Sequence, residues 1–206
     1  MKIKNNLWTL FIGAPVLLVG LLLISSCLDT KLEDIKNIPT ISTEGEQIYS
    51  LWTRQDLGLR FNHQIGHNSK KINTSKDLRF LLLDSKYRNV DYFFFLKFNN
   101  WFDKLQFNNG IMPINQNETL DCDNFAMLYK SLFSVANYKS GVEHEPAVGL
   151  VIVKQINPFG GIPSGDLHML NIVFTNKDWY IFEPQTGEYI ALDEYPNQEY
   201  ITTIIL

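Results

Sequence analysis

Two residues in this sequence have the types needed for covalent catalysis: Cys122, a thiol able to attack a carbonyl, and His168, an imidazole able to move the proton. Cys122 lies in the run Asp121-Cys122-Asp123-Asn124 at the head of an apolar helical repeat. A helix N-terminus favours an anion through its unpaired amides and its dipole. Asp121 and Asp123 work against a thiolate, because neighbouring negative charge opposes ionisation of a thiol. An imidazole is therefore needed beside the sulfur to form an ion pair. His168 is the candidate, opening a strand just after the Gly- and Pro-rich stretch from Asn157 to Asp166. Glu183 closes the following strand, where a carboxylate can orient the ring and stabilise imidazolium. The plainer reading of each residue is a small buried cysteine and a satisfied core histidine.

These side chains can act only if the elements carrying them bring them together. Leu120 to about Tyr138 reads as a helix, with Phe125, Leu128, Leu132 and Val135 spaced as one apolar stripe. Asp91 to about Phe107 reads as a second core helix, and its Tyr92-Phe93-Phe94-Phe95 tract as packing. Ser75 is placed to cap a helix through Leu78, Leu81 and Leu82. Thr43 and Glu46 have the spacing of a capping box opening a short helix through Ile48, Leu51 and Trp52 to near Gly58. After Gly141 the pattern changes. Ala147 to Gln155, His168 to Thr175 and Trp179 to Glu183 are rich in Val, Ile and aromatics, with a hairpin turn at Asn176-Lys177-Asp178. Helices first and strands second predict an α+β fold, N-terminal helices packed on a C-terminal antiparallel sheet. Side chains alternate along strands, so His168 and Glu183 share a face only if paired positions sum to an odd number. A two-residue turn satisfies this and a three-residue turn does not; the sequence leaves both open.

The order of these segments, DCDNFA on a helix, then HMLNIVF, a turn and WYIFEP, resembles the transglutaminase-like branch of the papain-like cysteine peptidase superfamily over roughly residues 117–190. The resemblance implies a papain/transglutaminase-like core in which Cys122 is the nucleophile, His168 the base and Glu183 the orienting acid. It departs from the family pattern at Glu183, where Asp is usual, and at Met169 and Leu170, where Ala and Trp are usual. No oxyanion-hole donor is marked. Gln116, six residues before the cysteine, is one choice, Gln185 another, and the Cys122 amide shares the role. The implied activity is a thiol hydrolase or acyltransferase acting on peptide or amide bonds, with no cofactor. The competing reading is a binding or exclusion module that keeps the fold without turnover, for which the change at Glu183 speaks.

The first residues carry Lys2 and Lys4 and no acid, and an apolar run from Leu7 to Ile24 ends at Ile24-Ser25-Ser26-Cys27. That order reads as a secretory signal, residues 1–26, and its end resembles the lipobox of bacterial lipoprotein precursors. Cys27 is then the lipid anchor, residues 27–41 a polar tether with Pro39, and residues 42–206 a single domain. A plain transmembrane anchor is the other reading of a run this long. Either way the domain is expected outside the cytoplasm, on the cell membrane or outer membrane. Leu28, rather than an acidic residue, after Cys27 resembles proteins forwarded to an outer membrane. With Cys27 lipidated, Cys122 is a leftover thiol in a compartment that favours disulfides.

A net charge of -4, with no basic cluster beyond Lys70-Lys71, offers no phosphate-binding surface, so nucleic acid is not an expected partner. Expected partners are membrane lipid through Cys27 and a peptide or protein substrate such as cell-wall peptide. His63 and His67 are four apart, but their Gly- and Asn-rich setting reads as a loop with no third ligand, so no metal is expected. His144, between Glu143 and Glu145, reads as a solvated charged turn.

Overall fold

The computed structural model describes residues 35–41, 51–53, 55–57, 78–110, 121–165 and 167–206. The chain divides into two compact units, Met1–Ile38 and Pro39–Leu206. In the first, Ile38 N–H donates to the Ile35 carbonyl. The second is an α+β unit. Its early elements are β1 (Leu51–Thr53), β2 (Arg79–Leu81), β3 (Lys86–Arg88) and the helices α1 (Tyr92–Asn108) and α2 (Cys122–Lys139). Then come β4 (Glu145–Pro146), β5 (Val148–Lys154), β6 (Leu167–Phe174), β7 (Trp179–Phe182), β8 (Tyr189–Ala191), two 3-10 turns and β9 (Ile201–Ile205). A six-stranded sheet has the order β2-β9-β5-β6-β7-β8, and a small sheet the order β1-β3-β4.

In the large sheet every neighbouring pair is antiparallel except β2 with β9, which is parallel. This edge departs from the expected all-antiparallel sheet, and the segment around Leu78 to Leu82 is strand where a helix was expected. Six residues reading LRFLLL fit either period. Pairing with the chain end decides, setting Arg79, Phe80 and Leu81 beside Thr203, Ile204 and Ile205. Leu51 and Trp52 likewise lie on a strand, because β1 pairs with β3; Thr43 and Glu46 fall outside the described residues.

One face of the large sheet carries the helices. Asp91 caps α1, its Oδ1 accepting from Phe94 N–H at 2.8 Å. Phe94, Phe98 and Phe102 then recur at helical spacing and are buried. They meet Tyr129 and Phe133 of α2, with Phe98 and Phe133 ring centroids 4.4 Å apart. Tyr129 packs in turn, tilted, on Phe182 of β7 at 4.4 Å. Each fully buried aromatic of this kind contributes roughly 1.5–3 kcal/mol. The buried stripe of α2 is Phe125, Ala126, Tyr129, Leu132, Phe133 and Ala136; the expected Leu128 and Val135 instead lie 37% and 40% exposed on its outer side. The other face of the sheet buries Val151, Val153, Leu170, Ile172, Trp179 and Ile181 against residues that include Tyr87 of the small sheet. Trp52 of the small sheet contacts Phe174 edge-on at 5.3 Å.

Candidate active site

α2 begins at Cys122, and the thiol is partly exposed. Asp121 is the N-cap, yet its side chain makes no cap bond; its Oδ1 accepts from the Asn124 side chain at 2.7 Å. The Asp121 and Asp123 carboxyls act on each other across the cysteine, which lowers the pKa of Asp121 and raises that of Asp123.

His168 and Glu183 are brought together by the hairpin. Thr175 N–H donates to the Asp178 carbonyl, closing a two-residue turn at Asn176-Lys177. The register pairs Asn171 with Phe182, Ile172 with Ile181 and Phe174 with Trp179, each sum odd. His168 and Glu183 therefore share a face, and His168 Nε2 lies 2.5 Å from Glu183 Oε2. The other Glu183 oxygen accepts from Gln185 N–H at 2.9 Å. Glu183 is fully buried and His168 only 8% exposed, so both oxygens of a carboxylate with no access to water have a partner.

The Cys122 side chain also acts on the His168 ring and favours its protonated form. With Nε2 taken by Glu183, the nitrogen that remains for the sulfur is Nδ1. Burial works to lower the pKa of the ring, but the bonds to Cys122 and Glu183 and the charges of both outweigh it and push the value up to about 9. Imidazolium is thus the prevailing form at neutral pH.

Three residues named from sequence, Cys122, His168 and Glu183, meet in one site, and Gln185 joins them through its backbone. Gln116, Cys27, His63 and His67 lie outside the described residues. His144 is exposed with φ 74°, in the left-handed region. It lines a pocket of about 280 Å³ with Ser134, Asn137 and Tyr138, at the far end of α2 from Cys122. Among the described residues no group of three or more His, Cys, Asp or Glu is placed to hold a metal ion, and no helix is long and apolar enough to cross a membrane.

Other contributors were not singled out from sequence. Asn171, fully buried in the middle of β6, donates from Nδ2 to the Ala126 carbonyl at 2.9 Å and the Gly149 carbonyl at 3.1 Å. It ties α2 to β5 and β6 and so fixes the helix bearing the thiol against the strand bearing the imidazole. A lone polar residue inside an apolar strand was its visible signal. Gly160 packs directly on the Glu183 side chain.

No protein-family profile matches the sequence, and no curated protein matches it. Among solved structures the chain is similar to one described as the PSL1a-E64 complex, with a TM-score of 0.52 and 16% identity. The match covers 81% of this chain and 55% of that one, so the chain spans about half of that neighbour's length. At this identity the likeness is one of fold.

Proposed function

We propose that this chain is an extracytoplasmic lipoprotein, anchored through Cys27, whose domain has a papain/transglutaminase-like core and acts as a thiol hydrolase or acyltransferase on peptide or amide bonds. The observation carrying the reading is the His168 ring held between Cys122 and Glu183. An imidazolium beside the sulfur favours thiolate, the form that attacks a carbonyl carbon. Attack gives a tetrahedral intermediate, for which the Cys122 amide and Gln116 are the candidate oxyanion donors. His168 gives its proton to the leaving nitrogen as the C–N bond breaks, leaving an acyl thioester on Cys122. The neutral ring then takes a proton from water or an incoming amine, which attacks the thioester and releases the acid or a new amide. Glu183 keeps the ring oriented and balances its charge at each imidazolium stage.

Cell-wall peptides and exported proteins are the proposed substrates. The test is turnover of such peptides followed by mass spectrometry. Cys122→Ala and His168→Ala should each abolish it, while Glu183→Gln should retain a weak rate, because the attacking thiol remains. Turnover that survives loss of Cys122 would end the reading. E64, the molecule named with the similar solved chain, is proposed to engage the same site, so preincubation with it should protect Cys122 from alkylation.

A further inference from the structure

The loop from Gln155 to Gly165 does more than join β5 to β6. Gly160 and Gly161 are both in the left-handed region, with φ 61° and 71°. A Cβ on Gly160 would lie 2.8 Å from Glu183 Cγ, 2.9 Å from Glu183 Cβ and 3.0 Å from Thr186 Oγ1, whereas one on Gly161 would meet only Thr186 Cγ2 at 4.0 Å. The backbone at Gly160 is therefore seated on the methylenes of Glu183, closer than any side chain would allow.

The loop is also fastened. At its start the Gln155 side chain, 1% exposed, donates from Nε2 to the Ile162 carbonyl at 2.9 Å and the Pro163 carbonyl at 3.1 Å. The Gln155 carbonyl accepts from Gly165 N–H, and Phe159 and Ile162 exchange backbone bonds across the tip. On its outer side Asn197, fully buried, accepts at Oδ1 from Ile156 and Asn157 N–H and donates from Nδ2 to the Asn157 carbonyl. Phe159 packs edge-on against Tyr195 at 5.1 Å. This is more anchoring than a connection between two antiparallel strands needs, and it converges on the segment that bears on Glu183.

We propose that residues 155–165 form a positioning strap for the Glu183 carboxylate, bearing on it through Gly160 and fastened through Gln155 and Asn197. The inference rests on the reading of Cys122, His168 and Glu183 as nucleophile, base and orienter. Glu183 stands one residue beyond the end of β7, where the strand ladder no longer fixes the direction of its side chain. The strap supplies that constraint and keeps water from the carboxylate, so that its partners are His168 and the Gln185 amide. Gly160, Gln155 and Asn197 are positioning residues, acting through Glu183.

The two glycines supply the test, because alanine at either is strained by the same left-handed backbone and only Gly160→Ala collides with Glu183. The readouts, which strain alone would not move, are the rate of iodoacetamide alkylation at the Cys122 peptide at neutral pH and the His168 titration midpoint by NMR in the full chain. Gly160→Ala should slow alkylation by at least about tenfold, as a misplacement near 1 Å does, and should move the midpoint from about 9 toward 6.5. Gly161→Ala should leave both near the parent. Gln155→Met, which keeps the volume and deletes both side-chain bonds, should act in the same direction as Gly160→Ala and serves if that variant does not fold. Equal behaviour of Gly160→Ala, Gln155→Met and Gly161→Ala overturns the strap. His168→Ala separates the two ideas: if it leaves Cys122 alkylation unchanged, the catalytic reading itself fails; if it slows alkylation while the strap variants do not, only the strap fails.

Discussion

Replacing Glu183 by Gln preserves the shape of the side chain and an oxygen for the Gln185 amide while deleting the charge that faces His168. In the parent the His168 pKa stands at about 9 against an ordinary 6.5. A group whose pKa is higher folded than unfolded adds stability that is complete below pH 6.5 and is lost as pH rises through about 9. At ~1.4 kcal/mol per pH unit the interval is worth about 3.5 kcal/mol at most, shared between Glu183 and Cys122. For a chain of this size that is a spread in Tm of roughly 7–14 °C. Thermal melts of the parent, Glu183→Gln and Cys122→Ala from pH 6 to 10 read it directly. Lysines and the other histidines drop out of the difference, and Tyr195, which burial and the Glu183 charge hold above the ordinary tyrosine value, enters only at the top of the range. The parent should hold its largest advantage over Glu183→Gln below pH 6.5, and the gap should narrow as the pH passes about 9. Cys122→Ala should show a narrowing over the same pH range. Curves that run parallel across the range would refute the claim that Glu183 holds the ring as imidazolium.

Cys27→Ala should leave an unprocessed precursor without lipid, read by intact mass of the membrane fraction; a mature, lipidated variant would show the anchor to be elsewhere. Asn171→Ala removes the side-chain bonds to the Ala126 and Gly149 carbonyls and should cost about 1–3 kcal/mol, with Cys122 alkylation slowed as α2 loosens from β6. Gly149→Ala places a Cβ 2.4 Å from the Ile205 carbonyl oxygen and should lower stability by about 1–3 kcal/mol or more through the β5–β9 pairing, checked by urea unfolding.

The elements that carry the site were legible because each is marked locally. α1 and α2 have long apolar periods, and β5, β6 and β7 are runs of Val, Ile and aromatics ending at turn residues. The relation between His168 and Glu183 was legible only as a parity condition. The missing term was the turn length, which is set by the Thr175 bonds to Asp178 and to the Lys177 and Asp178 amides. Long-range pairing was hidden: nothing in residues 79–81 says that their partner is the chain end, so an apolar run was read with the wrong period. Leu128 and Val135 were misjudged because the stripe rule sees only apolar identity, whereas the sheet selects Ala126, Tyr129 and Phe133 on the turn beside them. The seat of Gly160 on Glu183 joins positions far apart in sequence, and a glycine pair marks only a turn until the fold places something against it.

The central claim is that His168 activates Cys122, and the most direct measurement is the rate of carbamidomethylation at the Cys122 peptide in the parent and in His168→Ala, both at pH 7. With the ring protonated up to about 9 under the influence of Glu183 and Cys122, the parent should react faster than the variant by at least about tenfold. Equal rates, with His168→Ala melting at a lower temperature, would contradict it and leave Cys122 and His168 as structural residues of a binding domain.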